Sequence, residues 1–193
     1  MSNTLPAEPI KLIVGLGNPG VKYERTRHNA GQDWLVQLAG AEGITLAPEK
    51  RFFGDYGQGL VAGHKVHLLI PHTFMNLSGQ SVQALCNFYK IDTQHILVAH
   101  DELDLPPGTA RLKLGGGHGG HNGLRDIINK RSGDKNFHRL RLGIGHPGNA
   151  KLVTNYVLKK APLEERISID HAMEKAIKAM SDAISGQWQK AMN

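Results

Sequence analysis

The sequence predicts an α/β fold, a single domain in which a mixed, twisted β-sheet is flanked by helices and followed by a long C-terminal helix. Three observations support this class. Short apolar runs alternate with segments of helical periodicity, the last periodic segment is long, and no repeat, low-complexity tract or linker divides the 193 residues. We therefore expect one domain over residues 1–193, with residues 1–9 as a flexible N-terminal extension.

The N-terminal part of the chain predicts a strand followed by a helix. Residues 11–16 form a short, almost wholly apolar run, which is typical of a strand buried at the centre of a sheet. A helix is predicted after Asn29, where apolar residues recur at helical spacing: Ala30, Trp34, Leu35 and Leu38. Asn29 and Gln32 resemble a capping box at its start, and Gly40 ends the periodic pattern. His28 is therefore expected immediately before a helix N-terminus.

The middle of the chain continues the alternation of strands and helices. Its pattern predicts, in order, a hairpin over residues 52–70 that turns near Gly63, a helix over 78–89, a buried strand over 95–100, a strand over 109–114, a helix of about ten residues after Asn122 and a strand over 138–144. Together with the hairpin, these elements indicate a mixed sheet.

The C-terminal segment predicts a long amphipathic helix from Pro162. Its first turn carries Glu164 and Glu165, whose negative charges favour a helix N-terminus. Apolar residues then recur on one side of the helix: Met173, Ile177, Met180, Ile184 and Trp188.

The composition is that of an ordinary globular protein, with 40% hydrophobic and 21% charged residues. No apolar run approaches the roughly 20 residues that a membrane-spanning helix needs, and the N-terminus lacks the basic and apolar regions of a signal peptide. The single cysteine, Cys86, cannot form an internal disulfide and is typical of a reducing compartment. We therefore expect a cytoplasmic protein without membrane contact. Nothing in the sequence requires a second chain, so we expect a monomer without an obligate protein partner.

Positive charge is concentrated in one part of the chain. The net charge is +6, but residues 109–160 hold eleven Lys or Arg against two acids, while the remainder carries more acids than bases. Such concentration is the electrostatic footprint of a polyanionic partner, and the eleven histidines would add to it at mildly acid pH. A solvated basic face without a partner explains the charge alone equally well.

Residues 15–20 read GLGNPG, which fits G-x-G-x-x-G, the pattern that binds a dinucleotide pyrophosphate. That pattern requires glycines that open a helix, but Pro19 removes one N–H donor and the predicted helix begins about ten residues later. The acidic residue expected after a second strand is also missing, since Asp33 lies in the helix and Glu42 follows it. The sequence therefore argues against an NAD site. The segment instead predicts a strand that ends in a sharp turn presenting Asn18.

Polar residues follow several predicted strands, at the positions where open α/β sheets place their sites. Asn76 follows the hairpin, and Asp101 and Asn122 follow two later strands. With Asn18 and His28 they form a small hydrolytic set, because an imidazole can take a proton from water, a carboxylate can hold its tautomer and amides can donate to an oxyanion. Each asparagine taken alone is better explained as a turn former or cap, so the hypothesis depends on the combination.

Five motifs follow one another between Lys11 and Leu158. They read GLGNPG-x-x-Y-x-x-T-R-H-N-x-G, P-x-T-F-M-N-x-S-G, H-D-E-L-D, L-G-G-G-H-G-G-H-N-G-L and F-x-R-L-R-x-G-I-G-H-P-G. In this order the sequence resembles the bacterial-type peptidyl-tRNA hydrolases, which cleave the ester between a peptide and the 3′ ribose of tRNA. Several long motifs in a fixed order are far more specific than any single one.

The resemblance implies roles for particular residues. It implies that His28 accepts a proton from the attacking water, that Asp101 stabilises the arrangement of His28, and that Asn18 discriminates a blocked amino group from a free one. The residues implied to contact the tRNA end and the peptide are Tyr23, Phe74, Met75, Asn76, His121 and Asn122. Lys113 and Arg141 are implied to bind phosphate, which makes the acceptor stem of tRNA the expected partner. No metal or other cofactor is implied.

The chain departs from the family pattern after Gly148. Members often carry a lysine at the position of Ala150, and the neighbouring Lys151 leaves the question of a substitute open. This position is therefore left out of the expected site.

Water activated by histidine is the simplest route to ester cleavage for this sequence. No G-x-S-x-G motif supplies a serine nucleophile, and Cys86 falls within a helical pattern that indicates a core position. One alternative is a metal hydrolase without H-E-x-x-H or paired-cysteine motifs, whose candidate ligands are His100, Asp101, His118 and His121. A second alternative is a non-catalytic RNA-binding module that uses only the basic part of the chain.

Overall fold

Within residues 9–187, which the computed structural model describes, seven strands form one mixed sheet. In chain order the strands are β1 (Leu12–Gly15), β2 (Ala47–Glu49), β3 (Gly54–Val61), β4 (His64–Pro71), β5 (Ile96–Glu102), β6 (Ala110–Leu114) and β7 (His138–Gly143). Across the sheet their order is β2-β3-β4-β1-β5-β7-β6.

The strands at the centre of the sheet are parallel. β1 lies between β4 and β5 and is parallel to both, and β5 is parallel to β7. β2, β3 and β6 extend the sheet by antiparallel pairing. Every residue of β1 is buried, so the predicted central strand and the predicted mixed sheet are confirmed. The carboxyl ends of the parallel strands meet at one edge of the sheet, and polar residues placed there can share a site.

Helices cover both faces of the sheet. They are α1 (Ala30–Glu42), α2 (Ser78–Tyr89), α3 (Asn122–Lys130), α4 (Val153–Val157) and α5 (Leu163–Ile184). α1 and α5 pack on one face, in the apolar cluster that contains Ile13 of β1. α2 and α3 pack on the other face, in the cluster that contains Val14. Consecutive residues of β1 thus point to opposite faces, as a pleated strand requires, and both faces are covered.

The predicted C-terminal helix is confirmed from Leu163 to Ile184, with Glu164 and Glu165 in its first turn. The predicted contribution of Trp188 lies outside the described residues, as do residues 1–8 of the expected N-terminal extension. None of the helices between residues 9 and 187 combines the length and the apolar character needed to cross a bilayer.

Most element boundaries agree with the sequence patterns, including those of the hairpin and of α2. α1 continues past Gly40 to Glu42, because its C-cap is Gly43 in the left-handed conformation, with φ 67°. β5 extends to Glu102, so Asp101 lies within the end of the strand rather than after it. The sequence did not predict β2 and α4, whose three and five residues are too short to show a period.

Gly31 allows α1 to approach the central strands closely. A Cβ atom on Gly31 would meet the carbonyl oxygen of Ala99 in β5 far inside van der Waals distance. Gly40 in the same helix faces open space. The close approach fixes the start of α1 against β5, and the turn that enters α1 carries His28.

The two glycines of α1 should therefore respond in opposite ways to alanine. Gly31→Ala should destabilise the fold by about 1–3 kcal/mol, because the helix must move away from β5. Gly40→Ala, the matched control, should stabilise it by up to about 1 kcal/mol, because alanine favours an exposed helical position. Urea denaturation measures both free energies. Equal stability of Gly31→Ala and the parent would contradict the close approach.

Candidate active site

A cavity of about 840 Å³ opens at the carboxyl ends of the parallel strands. The predicted site residues that line it are Asn18, His28, Phe74, Met75, Asn76, Asp101, Lys113, His121, Asn122 and Arg141. Tyr23 does not line it, but its ring packs edge-on against Phe74 with the centroids 6.4 Å apart. Phe74 is 56% exposed, so this aromatic pair lies at the rim. Segments far apart in the sequence thus supply one site.

The Asp101 carboxylate accepts hydrogen bonds from two imidazoles. Nδ1 of His28 lies 2.9 Å from Oδ2 and 3.0 Å from Oδ1, and Nε2 of His121 lies 2.8 Å from Oδ1. Because an ionised carboxylate only accepts, both of these nitrogens carry a proton. In the neutral ring of His28 this leaves a lone pair on Nε2. None of the described residues forms a hydrogen bond with that nitrogen.

His121 is oriented by the helix that it caps. It is the N-cap of α3, and its Nδ1 accepts the N–H groups of Gly123 and Leu124 at 3.1 and 3.3 Å. Since Nδ1 is an acceptor, the proton of the neutral ring lies on Nε2, the nitrogen that faces Asp101. Both ring nitrogens are therefore engaged within the protein. The cap determines the tautomer with which His121 donates to the carboxylate.

Burial and charge act in opposite directions on the pKa values of these groups. Burial alone would lower the pKa of His28, but the charge of Asp101 and its hydrogen bond raise that pKa above the ordinary value. Burial alone would raise the pKa of Asp101, but His28 and His121 hold it well below the ordinary value. Asp101 therefore stays ionised, and His28 is a stronger base than an isolated imidazole.

His100 lies beside His121 but forms its hydrogen bond with the backbone of Asp101 and not with the carboxylate. Its Nδ1 donates to the backbone carbonyl oxygen of Asp101 at 2.8 Å, and its ring centroid lies 5.2 Å from that of His121. Burial, together with the proximity of His121, lowers the pKa of His100 to about 4. His100 is therefore neutral at pH 7 and supports the strand end that carries Asp101.

The turn after β1 is held by Asn29, the residue that follows His28. Its Oδ1 accepts the N–H of Asn18 at 2.8 Å, and its Nδ2 donates to the carbonyl oxygen of Asn18 at 3.0 Å. The predicted capping box of Asn29 and Gln32 is wrong, because this amide is bonded to Asn18 and makes no cap hydrogen bond. Oδ1 of Asn18 accepts the N–H of Met75 at 2.7 Å. This bond leaves the Nδ2 group of Asn18 as a donor for the cavity that Asn18 lines.

Arg27 connects the turn that carries His28 to the C-terminal part of the chain by hydrogen bonds. Its guanidinium donates to the carbonyl oxygen of Tyr156 at 3.0 Å and to Glu165 at 3.3 Å. It also lies 3.8 Å from the centroid of the Tyr156 ring. Arg27 and Asn29 are both buried, so His28 is held between two neighbours whose side chains are bonded elsewhere in the fold.

Cationic side chains line the cavity beside the imidazoles: Lys113, Arg139 and Arg141. Lys113 is exposed in β6. Nε of Arg141 donates to Glu102 at 2.7 Å. Burial would raise the pKa of Glu102, but the hydrogen bond from Arg141 holds that pKa below its ordinary value, so Glu102 is ionised. Since Glu102 partly neutralises Arg141, Lys113 is the freer of the two predicted phosphate ligands.

The donor set fits a hydrogen-bonded network better than a metal centre. His28, Asp101 and His121 offer ligand atoms within 4.8 Å of one another. However, the ring nitrogens lie 2.8 to 3.0 Å from the carboxylate oxygens, which are the distances of direct hydrogen bonds. His118, another candidate ligand, instead accepts the N–H of Gly120 at 2.9 Å. The structure brings together the hydrolytic set proposed from the sequence and extends it by His121.

Sequence reasoning missed three residues that hold the site: Arg27, Asn29 and Arg139. Arg27 and Asn29 flank His28 in T-R-H-N, and Arg139 stands two residues before Arg141 in F-x-R-L-R. Only their positions within these motifs could have indicated that they belong to the site. Their bonding partners lie far away in the sequence, so a linear pattern does not reveal them.

The chain matches a protein-family model over nearly its whole length. The model describes the family as Peptidyl-tRNA hydrolase, and it matches residues 12–193. This chain belongs to the peptidyl-tRNA hydrolase family. The resemblance inferred from the five motifs is therefore confirmed.

Relatives and solved structures agree with this membership. The peptidyl-tRNA hydrolase of Saccharophagus degradans is 60% identical over 187 residues, which cover 97% of this chain and 95% of the relative. That of a Marinomonas species is 54% identical over 183 residues, covering 95% and 94%. The crystal structure of peptidyl-tRNA hydrolase from Acinetobacter baumannii is 53% identical, with a TM-score of 0.92 and coverage of 95% of this chain and 93% of that one. The predicted fold class is thus that of the family.

Removal of the Asp101 charge should lower the pKa of His28. In Asp101→Asn the side chain keeps its shape but loses its charge, so burial then dominates the pKa of His28. We expect the NMR titration midpoint of the His28 ring to move to lower pH. His67 in β4, whose pKa is lowered by burial, serves as the internal reference and should keep its midpoint. An unchanged His28 midpoint would contradict the effect assigned to Asp101.

Proposed function

We propose that the cavity hydrolyses the ester between the peptide and the 3′ ribose of peptidyl-tRNA, with His28 as the general base. The observation that carries this proposal is the hydrogen bond between His28 and the buried Asp101, at a cavity of a chain that belongs to the peptidyl-tRNA hydrolase family. The products are a peptide with a free carboxylate and a tRNA with a free 3′ hydroxyl.

The reaction requires a proton acceptor and then a proton donor at one place. The Nε2 lone pair of His28 takes a proton from water as the water oxygen attacks the ester carbonyl carbon. The Asp101 carboxylate stabilises the resulting imidazolium through the hydrogen bond at Nδ1. When the tetrahedral intermediate collapses, the bond to the ribose 3′ oxygen breaks and His28 returns its proton to that oxygen.

Side-chain amides supply hydrogen-bond donors around the reacting carbonyl. The Nδ2 group of Asn18 is directed to this task because its Oδ1 is held by the N–H of Met75. We assign recognition of the blocked amino group to Asn18, since an amide at that contact avoids the desolvation cost of a free ammonium. Asn76 and Asn122 line the same cavity and contact the tRNA end and the peptide.

His121 acts through Asp101 in this proposal. The sequence placed it among the substrate contacts, but both of its ring nitrogens are engaged by α3 and by Asp101. It therefore positions the carboxylate that orients His28. Met75 combines two tasks, since its N–H holds Asn18 and the residue lines the cavity.

The tRNA lies across the basic side of the cavity in this proposal. Lys113 and Arg141 hold phosphates of the acceptor stem, and the excess of positive charge in residues 109–160 supports this placement. The exposed Phe74 and the adjoining Tyr23 offer aromatic faces on which an unpaired terminal base can stack. The monomeric state and the cytoplasmic location stay predictions of the sequence.

Loss of the His28 imidazole should abolish most of the activity. His28→Ala should lower kcat by at least about 10²- to 10⁴-fold, because the water loses its base. The measurement is ester loss from an N-acetylated aminoacyl-tRNA, with circular dichroism to verify folding. His64→Ala removes an exposed histidine at the start of β4 and should keep the parent kcat. Near-parent kcat in folded His28→Ala would refute the mechanism.

The same assay separates the proposal from its alternatives. EDTA should leave the rate intact, whereas activity that is lost to EDTA and restored by zinc would favour the metal hydrolase. A non-catalytic RNA-binding module would bind tRNA with or without His28 and would cleave no ester at any enzyme concentration.

Salt dependence tests the assignment of Lys113 to phosphate. Lys113→Ala should raise KM for the full-length substrate and reduce the slope of log KM against log salt by roughly 0.7 to 0.9, the contribution of one phosphate contact. Arg141→Ala should reduce it less, because Glu102 already neutralises part of the Arg141 charge. Lys175→Ala in α5 is the matched control, since Lys175 is exposed and outside the basic part of the chain. An unaltered slope in Lys113→Ala would remove Lys113 from the tRNA contacts.

A further inference from the structure

Arg139 is a buried cation that the proposed mechanism does not use. It lies in β7 and is 2% exposed. Its guanidinium donates to the carbonyl oxygens of Gly116, Gly117 and Lys135, and it lies 4.3 Å from the centroid of the Phe137 ring. Between residues 9 and 187, no carboxylate lies within ion-pair distance of it. The hydrogen-bond acceptors of this guanidinium are backbone carbonyls, so its bonds fix the backbone that supplies them.

Two of these carbonyls belong to the glycine-rich loop, residues 115–121. Arginine presents its N–H groups in a rigid planar fork, so one guanidinium can hold two successive carbonyls, which the single nitrogen of lysine cannot do in the same way. Gly116 has φ 110°, a backbone conformation that side chains with a Cβ rarely adopt. With Gly116 in this conformation, the carbonyls of Gly116 and Gly117 both reach Arg139.

The other end of the glycine-rich loop contacts Asp101, the partner of His28. His121 ends the loop, caps α3 and donates to Asp101 at 2.8 Å. Asn122, a proposed substrate contact, follows directly as the first residue of α3. The loop thus connects the contacts of Arg139 to the carboxylate that orients His28.

We propose that Arg139 is a positioning residue, which holds the Gly116 and Gly117 carbonyls so that the glycine-rich loop places His121 on Asp101 before substrate arrives. The kinetic consequence rests on the proposed function, since His121 reaches the base only through Asp101. Without the two hydrogen bonds from the Arg139 guanidinium, the loop becomes more mobile, and the hydrogen bond from His121 to the Asp101 carboxylate weakens. The charge of the carboxylate then acts more fully on His28, so the pKa of His28 rises.

The ionisable groups that face His28 from the described residues are Asp101 of β5 and His121 of the glycine-rich loop. Arg139 shares the cavity lining with them, so a lost positive charge could itself raise the pKa of His28. Arg139→Lys keeps the charge and removes the fork, whereas Arg139→Met removes both. A comparison of these two variants separates positioning from charge.

Hydrogen exchange tests the state of the loop without reference to activity. In Arg139→Lys and in Arg139→Met, the hydrogen-bonded loop amides of Gly115, Gly120 and His121 should exchange at least about tenfold faster than in the parent. Arg111→Met is the matched control, because Arg111 is an exposed arginine of the neighbouring strand β6. Its loop amides should exchange at the parent rate.

The pH-rate profile tests the connection to the base. Both Arg139 variants should lose up to about 10²-fold in kcat through misplacement of the loop, and the midpoint of their profiles should move to higher pH. Arg111→Met should keep the parent midpoint. A midpoint that moves in Arg139→Met but not in Arg139→Lys would reduce the effect to charge and overturn the proposal.

Gly116→Ala disturbs the same contact from the loop and leaves Arg139 in the core, so the test stands even if the Arg139 variants do not fold. A Cβ at φ 110° strains this backbone, and beyond it lies only the flexible end of Lys113, 2.8 Å away. Gly116→Ala should reproduce the faster exchange and the higher midpoint. Gly63→Ala, the control for strain alone, changes a glycine with φ 78° in open space at the β3–β4 turn.

The inference and the proposed function fail in different ways. Parent-like loop exchange and a parent-like midpoint in folded Arg139→Lys and Gly116→Ala would overturn the role of Arg139. Faster loop exchange in these variants, combined with full activity in His28→Ala, would support the anchoring of the loop and reject His28 as the base.

Discussion

Two imidazole donors stabilise the charge of the buried Asp101 carboxylate, and the geometry of the rest of the site follows from these contacts. The side chain is 2% exposed and ionised, and an unpaired charge in such a place would cost several kcal/mol. His28 and His121 supply the N–H groups that offset this cost. Each bond also fixes the tautomer of the donating ring. As a result, the far nitrogen of His28 presents a lone pair to the cavity, and that lone pair is what the proposed reaction requires.

The fold gathers this group from three separate segments. Asp101 stands at the end of the central parallel strand β5, His28 in the turn that enters α1, and His121 at the N-cap of α3. Arg27 and Asn29 on either side of His28 are bonded to distant parts of the chain. Because regular elements and buried hydrogen bonds hold all three residues, the geometry exists before substrate binds, which is the condition for efficient proton transfer.

Sequence patterns predicted the features that local physics determines. The sequence predicted β1 from its apolar run and α2 from its helical period, because buried positions recur at the spacing of the element. β2 is too short to show a period. The motifs supplied the residues of the site but not their partners. Asn29 has the spacing of a capping box with Gln32, yet its amide is taken by Asn18, eleven residues away. A hydrogen bond of this kind depends on how the folded chain packs, so no periodic pattern in the sequence predicts it.

The positions of the ring protons on His28 and His121 decide whether His28 can act as the base. Nitrogen-15 chemical shifts of the ring nitrogens, measured at a pH above the His28 titration, distinguish a protonated nitrogen from one with a lone pair. We expect a proton on Nδ1 of His28 and on Nε2 of His121, the two nitrogens that face Asp101. A neutral His28 with its proton on Nε2 would exclude His28 as the general base, because that nitrogen could not then accept a proton from water.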